Sequence, residues 1–384
     1  MVSIIVPARS EEAALAGCLS SLVSQTGVSV EVIVVDDAST DQTPQIANSF
    51  PVLLIEAGPL PEGWTGKNNA LVAGAKHARG QWLLFTDADT VHLPDSLTSS
   101  LAEAQQHKAA LLSYSPEQEV HGFWEKAVMP VIFAELAATF PPSAVSNPAS
   151  RAAAANGQYL LISREAYDAV GGHAAIATDL LEDVALARAV KSSGRKIFFR
   201  YAADRVRARM YRSFAQLREG WTKNLALLFP SPARLAILRL TEFVLIAASA
   251  VLTARLGFMH RAAMSSATLT LCAILYGLFL KRIRRAHFRW DANLLALAGL
   301  PLFSYLLLRS LLARRKGIVS WKGRVYDAPA NTAIDSNDAH AGKALGCPSG
   351  QASASVPALA DTVEALAFRP ALRHRQKSGL EPQG

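Results

Sequence analysis

The sequence predicts an α/β fold, with a mostly parallel sheet between helices, followed by helices that cross a membrane. Before residue 90, short runs rich in β-branched residues alternate with helical patterns, which is typical of β–α–β units. Three long apolar segments follow one another in the C-terminal third, and 51% of the whole chain is hydrophobic. The net charge of +8 fits either nucleic acid or an anionic membrane, and the apolar segments, with basic residues clustered beside them, favour the membrane.

The first half of the chain contains the clearest strand and helix patterns. Strands are predicted at 2–7, 31–35, 52–55, 82–89, 111–114 and 157–162. Helices are predicted from a Ser10 cap to about Ser24, after Ser39, and from Lys67 to Ala78. The apolar stretch 123–144 is broken by charges and prolines, which suits a buried core helix or a helix at a membrane surface.

The apolar run that begins at Trp82 stops at Asp87 and Asp89. If the chain stays extended there, the two carboxylates point to the same side of the sheet, at the strand end where open α/β sheets bind ligands. Mg²⁺ usually takes one or two carboxylates and leaves its other positions to water and substrate phosphates. The pair therefore predicts a metal–diphosphate site. The competing interpretation is that both residues solvate a loop and cap the helix that starts near Pro94.

A second acidic pair, Asp36 and Asp37, ends the strand at 31–35 and is expected at the same sheet edge. One carboxylate of such a pair can bind the ribose or base of a nucleotide, and the alternative is ordinary turn chemistry. The sequence has neither G-x-G-x-x-G after the first strand nor G-x-x-x-x-G-K-[ST], which argues against a dinucleotide enzyme or a P-loop ATPase.

Together, three stretches resemble the signatures of the family-2 inverting glycosyltransferases, which have the Rossmann-like GT-A fold. They are Ile4-Ile5-Val6-Pro7-Ala8-Arg9-Ser10-Glu11, Val34-Val35-Asp36-Asp37-Ala38-Ser39-Thr40-Asp41 and Thr86-Asp87-Ala88-Asp89. The family usually has asparagine where this chain has Ser10. The resemblance implies that the first two stretches, with Pro7, Ala8, Glu11, Asp36 and Asp37, hold the nucleotide. It also implies that Asp87 and Asp89 bind Mg²⁺ or Mn²⁺, with Asp87 beside the nucleotide.

The same resemblance extends to three shorter elements. Gly66-Lys67-Asn68-Asn69-Ala70 matches the family's Gly-Lys element, so Lys67 is a candidate nucleotide contact; the alternative is a solvated lysine at a helix start. Leu181-Glu182-Asp183-Val184 resembles the Glu-Asp pair whose aspartate is the general base, which implies this role for Asp183 with Glu182 as its neighbour. Gly171-Gly172-His173 looks like the acceptor-side loop.

The stretch 213–229 has an apolar stripe at helical spacing and basic residues off that stripe, which predicts an amphipathic helix at the membrane surface. Processive polysaccharide synthases of the family carry Gln-x-x-Arg-Trp here, whereas this chain has Gln216-Leu217-Arg218-Glu219-Gly220-Trp221. The mismatch disfavours a processive enzyme. Arg212, Trp221 and Lys223 are candidate contacts to the acceptor or to a phosphate.

Three apolar segments, 240–256, 264–280 and 292–312, are each long enough, or nearly so, to cross a bilayer. Basic clusters at 281–285 and 314–316 flank the third segment, and the positive-inside rule would place both in the cytosol. Either one cluster lies outside, or the third segment re-enters around Gly299-Leu300-Pro301. Trp321-Lys322-Gly323-Arg324-Val325-Tyr326 resembles an element of the lipid-glycosylating branch, which includes carotenoid-type and hopanoid-associated transferases, and implies a return to the active site.

We expect a catalytic domain at 1–230, a membrane region at 235–313, a basic segment at 314–327 and a disordered tail at 328–384. The resemblance implies a membrane-bound inverting glycosyltransferase whose catalytic domain faces the cytoplasm. It would move a sugar from a nucleotide-sugar, a UDP-sugar, to a hydroxyl or carboxyl of a lipid-like acceptor. No signal peptide and only three scattered cysteines favour the cytosol. The alternatives are a processive polysaccharide synthase and a non-catalytic membrane scaffold, and nucleic acid is not an expected partner.

Overall fold

The computed structural model describes residues 1–327, so the tail predicted at 328–384 lies outside the described residues. The strands are β1 Val2–Ala8, β2 Val30–Asp36, β3 Leu53–Glu56, β4 Trp82–Phe85, β5 Thr90–His92, β6 Leu111–Ser115, β7 Glu117–Gln118, β8 Leu160–Ser163, β9 Ile197–Tyr201, β10 Val206–Ala208, β11 Ile318–Trp321 and β12 Arg324–Asp327.

The helices alternate with these strands and then continue into the C-terminal third. They are α1 Leu15–Val23, α2 Thr43–Asn48, α3 Gly66–His77, α4 Ser96–His107, α5 Phe123–Thr139, α6 Pro142–Ser146, α7 Arg164–Ala169, α8 Glu182–Ser192, α9 Phe214–Leu228, α10 Pro232–Phe258, α11 Ala262–Ile283 and α12 Trp290–Arg315.

The main sheet confirms the predicted α/β class. Its seven strands have the order β3-β2-β1-β4-β8-β6-β9, and β8 runs antiparallel to both of its neighbours while the other pairs are parallel. Successive residues of β1 fill the cores on opposite faces, because side chains of a strand alternate: Ile5 lies in one core and Ile4 in the other, both fully buried. Since β1, β2 and β4 are parallel, the loops that follow them meet at one sheet edge.

Ser10 does not cap a helix, in contrast to the sequence prediction. Helix α1 begins at Leu15, and Ser10 adopts a left-handed backbone conformation with φ 51°. The Ser10 amide donates to Ser39 Oγ at 2.9 Å, and the Glu11 amide donates to Thr43 Oγ1 at 2.8 Å. These polar residues therefore join the loops after β1 and β2, a long-range role that local helix signals do not reveal.

Four helices of the described chain are long and apolar enough to cross a membrane, and they differ in burial. The apolar windows of α5 and α12 are each 44% buried, against 17% for α10 and 6% for α11. Helix α12 continues through Pro301 without a re-entrant turn. Gly299 allows its close approach to α5, because a Cβ at this position would overlap the carbonyl of Ala127. Helices α5 and α12 thus cover much of each other, and α9 and α10 belong to the same apolar core.

The apolar stripe of α9 is covered by protein. Leu217, Trp221 and Leu225 are at most 3% exposed, and they belong to one core with residues of α5 and α12. The indole Nε1 of Trp221 donates to Met129 Sδ on α5 at 3.4 Å. The stripe predicted to face the membrane surface is instead the contact by which α9 joins the apolar helices to the sheet-bearing domain.

Candidate active site

A cavity of 1210 Å³ opens at the edge where β1, β2 and β4 end. Most of the residues predicted from the sequence line it. They are Pro7, Ala8, Glu11, Asp37, Lys67, Asp87, Asp89, Glu182, Asp183, Arg212, Trp221 and Lys223. The predicted residues Asp36 and His173 are not in its lining. Residues from distant parts of the chain therefore converge on one site.

Asp87 and Asp89 reach the cavity by a turn rather than by an extended strand. β4 ends at Phe85, and the chain bends at 88–89 before β5. Thr90 fixes this turn, because its hydroxyl donates to the Asp87 carbonyl at 2.7 Å. The chain is not extended from Asp87 to Asp89, so the alternation of side chains along a strand does not explain why both carboxylates reach the cavity. Both carboxylates nevertheless line the cavity, because the turn is held against the end of the strand.

Lys67 connects two carboxylates that come from different elements. Its ammonium lies 2.6 Å from Asp87 Oδ1 and 2.7 Å from Glu182 Oε1. Burial opposes charge on Lys67, but these two carboxylates raise its pKa well above the usual value. Burial likewise opposes charge on Glu182, whereas Lys67 and Lys223 lower its pKa overall. Lys67 is therefore an ion-paired residue of the site and not a solvated lysine at a helix start.

Asp89 has an uncompensated carboxylate. Its Oδ1 is buried and has no hydrogen-bond partner, and burial, together with the charges of Asp87 and Glu11, raises its pKa to about 7. No group of three or more His, Cys, Asp or Glu side chains arranged for a metal ion occurs within residues 1–327. Two carboxylates with one unsatisfied oxygen fit Mg²⁺ or Mn²⁺, which draw their remaining ligands from water and phosphate.

Asp183 stands at the start of α8, with both oxygens held by backbone amides. Gly157 N donates to Oδ2 at 2.9 Å and Val184 N donates to Oδ1 at 2.8 Å. Burial and the neighbouring charge of Glu182 raise the pKa of Asp183 to about 6. A carboxylate with this pKa is ionised at neutral pH and can accept a proton, so its chemistry suits a general base.

Gly157 is a site residue that the sequence analysis missed. A Cβ at this position would lie 3.1 Å from Lys67 Nζ and 3.3 Å from Glu182 Oε1. The glycine therefore makes room for the ion pair while its amide orients Asp183. The Asn156-Gly157 dipeptide before a strand is a turn signal, but nothing in it indicates contact with residues 90 positions earlier.

Asp36 and His173 lie outside the cavity. Asp36 Oδ2 accepts a hydrogen bond from the Ser39 amide at 3.3 Å, which is turn chemistry. His173 is 1% exposed, its ring is 4.6 Å from that of Phe85, and its amide donates to the Tyr167 hydroxyl at 3.1 Å. Burial lowers the pKa of His173 to about 3. The geometry thus gives His173 a supporting position behind the site and no access to an acceptor in the cavity.

One wall of the cavity is apolar. It is formed by Phe133 and Leu136 of α5, Phe140, Leu228 of α9, and Phe288, which precedes α12. All of these residues lie in or next to helices that are joined to the apolar C-terminal third. The cavity therefore combines a carboxylate-rich floor with a wall suited to a hydrocarbon group.

The β11–β12 hairpin returns to this cavity from the end of α12, as the resemblance of 321–326 implied. Lys322 forms an ion pair with Glu11, and its ammonium donates to the Arg9 carbonyl at 2.9 Å. Arg324 forms an ion pair with Asp37. Residues more than 280 positions apart in the sequence thus share one site.

Comparisons with known proteins show to which family this chain is related. The profile of the family described as glycosyl transferase family 2 matches residues 3–170. The 4,4'-diaponeurosporenoate glycosyltransferase of Staphylococcus aureus strain USA300 is 29% identical over 340 residues, which cover 85% of this chain and 88% of that protein. The protein of that name from strain MRSA252 is 30% identical over the same coverage.

A solved structure with similarity is the mannosyltransferase PcManGT from Pyrobaculum calidifontis in complex with GDP-Man and Mn²⁺. It has 18% sequence identity and a TM-score of 0.47, and the match covers 81% of this chain and 86% of that chain. On the sequence relatives and the family profile, the chain belongs to glycosyl transferase family 2 and is a glycosyltransferase with a GT-A fold.

Proposed function

We propose that this member of glycosyl transferase family 2 is a membrane-bound inverting enzyme that moves a sugar from a nucleotide-sugar to a lipid-like acceptor. The observation that carries the proposal is the position of Asp183. It lies in the same cavity as Asp87, Asp89 and Lys67, and this cavity also has an apolar wall to which long apolar helices contribute.

The donor would occupy the part of the cavity formed by the loops after β1, β2 and β4. Glu11 and Asp37 line this part and offer hydrogen-bond acceptors to a ribose or base. Asp87 and Asp89 would hold Mg²⁺ or Mn²⁺, which neutralises charge on the diphosphate leaving group when bound. UDP-sugars are the donors to test first, because the resemblance to family 2 implies them.

Asp183 would act on the acceptor. Its two backbone hydrogen bonds fix the carboxylate, and a pKa of about 6 leaves it ionised at neutral pH. An acceptor hydroxyl would give its proton to Asp183 while its oxygen attacks the anomeric carbon opposite to the leaving group, which inverts the configuration. Lys223 lines the same cavity, and its positive charge would stabilise negative charge that develops there.

The acceptor would place a hydrocarbon part against Phe133, Leu136 and Phe140. Burial of apolar area yields roughly 25 cal/mol per Å², so such a wall favours a lipid over a water-soluble sugar. The similarity to 4,4'-diaponeurosporenoate glycosyltransferases supports a carotenoid-like acceptor. The exposed apolar surfaces of α10 and α11 would place the enzyme in the membrane where such an acceptor dissolves.

The reacting group of the acceptor determines what Asp183 must do. A hydroxyl holds its proton at neutral pH and needs a base, whereas a carboxylic acid is already ionised. Loss of the base should therefore greatly slow transfer to a hydroxyl and slow transfer to a carboxylate much less. The two acceptor classes can be separated by the response of one variant.

The test is transfer of radiolabelled sugar into organic-solvent-extractable lipid. Membranes that contain the wild-type chain are incubated with Mn²⁺, a panel of labelled nucleotide-sugars, and a carotenoid alcohol or the matching carotenoid acid. Asp183→Asn is the catalytic control, and Glu62→Gln, at an exposed residue away from the cavity, is the matched control for loss of one carboxylate. Label in the lipid phase with wild type and Glu62→Gln, dependent on metal, supports the proposal.

Other distributions of the label would favour the other functions. Label in an insoluble polymer would indicate a processive polysaccharide synthase. Transfer to water-soluble acceptors alone would contradict a lipid acceptor. A chain that neither releases nucleotide nor transfers sugar with any donor and acceptor of the panel would be a membrane scaffold.

A further inference from the structure

The hairpin formed by β11 and β12 occupies the nucleotide side of the cavity. We propose that Lys322 and Arg324 of this hairpin bind the diphosphate of the donor, exchanging their carboxylate partners for phosphate oxygens when the nucleotide enters. The inference rests on the proposed function, because it requires a nucleoside diphosphate in the cavity. It assigns donor-binding residues that lie outside the part of the chain matched by the family profile, which ends at residue 170.

Both cations pair with carboxylates of the loops that would hold the nucleoside. Lys322 contacts Glu11 after β1, and Arg324 contacts Asp37 after β2. The Arg9 side chain adds to this junction, since its Nε donates to the Lys322 carbonyl at 3.1 Å. The hairpin therefore lies beside the two carboxylates that would bind the nucleoside. Its cations would then be close to the phosphates attached to that nucleoside.

The absence of a side chain at Gly66 leaves the space that the Arg324 guanidinium occupies. A Cβ at Gly66 would overlap the Arg324 guanidinium and would lie 2.6 Å from Asp37 Oδ2. Its backbone φ is not in the left-handed range, so conformational freedom does not require glycine here. The missing side chain instead leaves space for Arg324 at the N-terminus of α3, where the helix dipole also favours an anion.

Lys322 lies in a left-handed backbone conformation that is unfavourable for lysine, which indicates that its side chain has a function at this position. The turn residues Lys322 and Gly323 have φ values of 47° and 76°. Two-residue turns of this kind favour asparagine followed by glycine, because left-handed backbone is costly for most other residues. Lysine is thus retained in an unfavourable backbone conformation while its ammonium reaches Glu11.

The carboxylates of the loops after β1, β2 and β4 and of the start of α8 show why a diphosphate needs cations at this place. Six of the cavity's carboxylates come from these segments: Glu11, Asp37, Asp87, Asp89, Glu182 and Asp183. Lys67 is already engaged with two of them. A diphosphate brought among these groups would be repelled unless further positive charge faced it. Lys322 and Arg324 supply two cations at this place, and a guanidinium can bind phosphate oxygens in a bidentate manner.

Other contacts keep the hairpin in place while its ion pairs exchange. The Lys322 amide donates to Glu219 Oε1 of α9 at 3.2 Å. The Lys223 ammonium lies 5.2 Å from the centre of the Trp321 ring, within the range of a cation–π contact. The two side chains can therefore change partners while the hairpin stays attached to α9.

The experiment is calorimetric titration of the full chain in detergent with UDP, GDP, ADP, CDP and dTDP in the presence of Mn²⁺. The variants are Lys322→Asn and Arg324→Gln. Lys316→Ala removes an equal charge at an exposed position just before the hairpin, and Val325→Ala alters an exposed hairpin residue directly after Arg324. Because asparagine suits the turn, Lys322→Asn removes the cation without weakening the hairpin, which thermal unfolding verifies.

We expect each cation variant to weaken the binding of the preferred nucleoside diphosphate by about tenfold or more, as for loss of a charge-assisted hydrogen bond. Lys316→Ala and Val325→Ala should bind like wild type. If wild type binds a nucleoside diphosphate and the cation variants bind it equally well, the inference is overturned while the proposed function stands. Tighter binding by the variants also overturns it, since the hairpin would then be an inhibitory cover. If wild type binds none of the five, the proposed function fails together with the inference.

Discussion

Two groups of partly buried charges in this molecule differ in how well their charges are balanced. The helix-junction cluster consists of Glu135, Arg239, Glu242 and Arg282, where α5 meets α10 and α11. It has equal numbers of cations and carboxylates. Arg239 lies 3.0 Å from Glu135 and 2.7 Å from Glu242, and Arg282 contacts the same two carboxylates.

The active-site cluster consists of Lys67, Asp87, Asp89, Glu182 and Asp183. Within it, Lys67 is ion-paired with Asp87 and Glu182, whereas Asp89 and Asp183 form no ion pair with residues 1–327. Asp89 keeps a buried oxygen without a hydrogen-bond partner, and its pKa is raised to about 7 mainly because it is buried.

In this molecule an excess of carboxylates without an ion-pair partner, rather than burial of charge, distinguishes the functional site from the helix junction. Opposite charges that satisfy each other hold helices together, and removal of one partner leaves a costly unpaired group. An excess of carboxylates is unfavourable in the empty fold and becomes favourable only when a cation or a proton donor enters. The following predictions test this difference, from the largest expected effect to the smallest.

Asp183→Asn should lower kcat for a hydroxyl acceptor by about 10²- to 10⁴-fold, the range for removal of a general base. Stability should change little, because the removal of one negative charge from the cluster offsets the loss of one of the two backbone hydrogen bonds that Asp183 accepts. Single-turnover kinetics and thermal unfolding of the same preparation provide the two measurements. Full activity toward hydroxyl acceptors would exclude Asp183 as the base.

Glu135→Gln should destabilise the fold by about 3–5 kcal/mol, because Arg239 and Arg282 would lose their shared carboxylate in a buried place. Glu165→Gln is the matched control, since the Glu165 side chain is 86% exposed and its pair with Arg195 should contribute only about 0–1 kcal/mol. Chemical unfolding in detergent compares the two. Equal stability of both variants would show that the helix-junction cluster does not stabilise the fold.

The pH dependence of activity should reveal the raised pKa of Asp183. Burial and the charge of Glu182 place this pKa at about 6, so the base is ionised above pH 6 and becomes protonated below it. kcat/KM for a hydroxyl acceptor should therefore fall about tenfold for each pH unit below 6. The profile is measured between pH 5 and 8 at saturating Mn²⁺. A profile that stays flat down to pH 5 would contradict the raised pKa.

Ser10→Asn should stabilise the protein by a few tenths of a kcal/mol to about 1 kcal/mol, because asparagine tolerates left-handed backbone better than serine does. Ser10 has φ 51° beside the active-site cavity, so its loop stores strain that the helix-junction cluster lacks. Thermal unfolding of Ser10→Asn and of Ser10→Ala measures the effect. A lower stability for the asparagine variant would show that its side chain clashes in this loop.

Much of the fold and most of the candidate site could be predicted from local sequence patterns. The alternation of strands and helices gave the α/β class, because the period of apolar residues reflects which side chains face a core. The acidic residues that follow β2 and β4 could be assigned to one sheet edge, because parallel strands end on the same side. The resemblance to a family then predicted that Lys67 and Asp183 belong to the same site, which local patterns alone could not predict.

Contacts between distant residues were decided only by the tertiary structure. The polar residues Ser10 and Ser39 look like helix caps in the sequence but bind each other's loops across the sheet edge. His173 looks accessible in a Gly-Gly-His turn, yet Phe85 and Tyr167 enclose it. Ser39 lies 29 positions from Ser10, and Phe85 lies 88 positions from His173, so propensity within a short window cannot indicate these contacts.

The apolar helices show the same division most clearly. Helices α11 and α12 have the same mean hydropathy of 1.7, so the sequence by itself determined that both are long, apolar and able to cross a membrane. Only the tertiary structure decided that α12 has 44% of its apolar window buried in the protein and α11 has 6%. The physical reason is that hydropathy measures the cost of water contact, whereas burial depends on which surface is available to cover the helix.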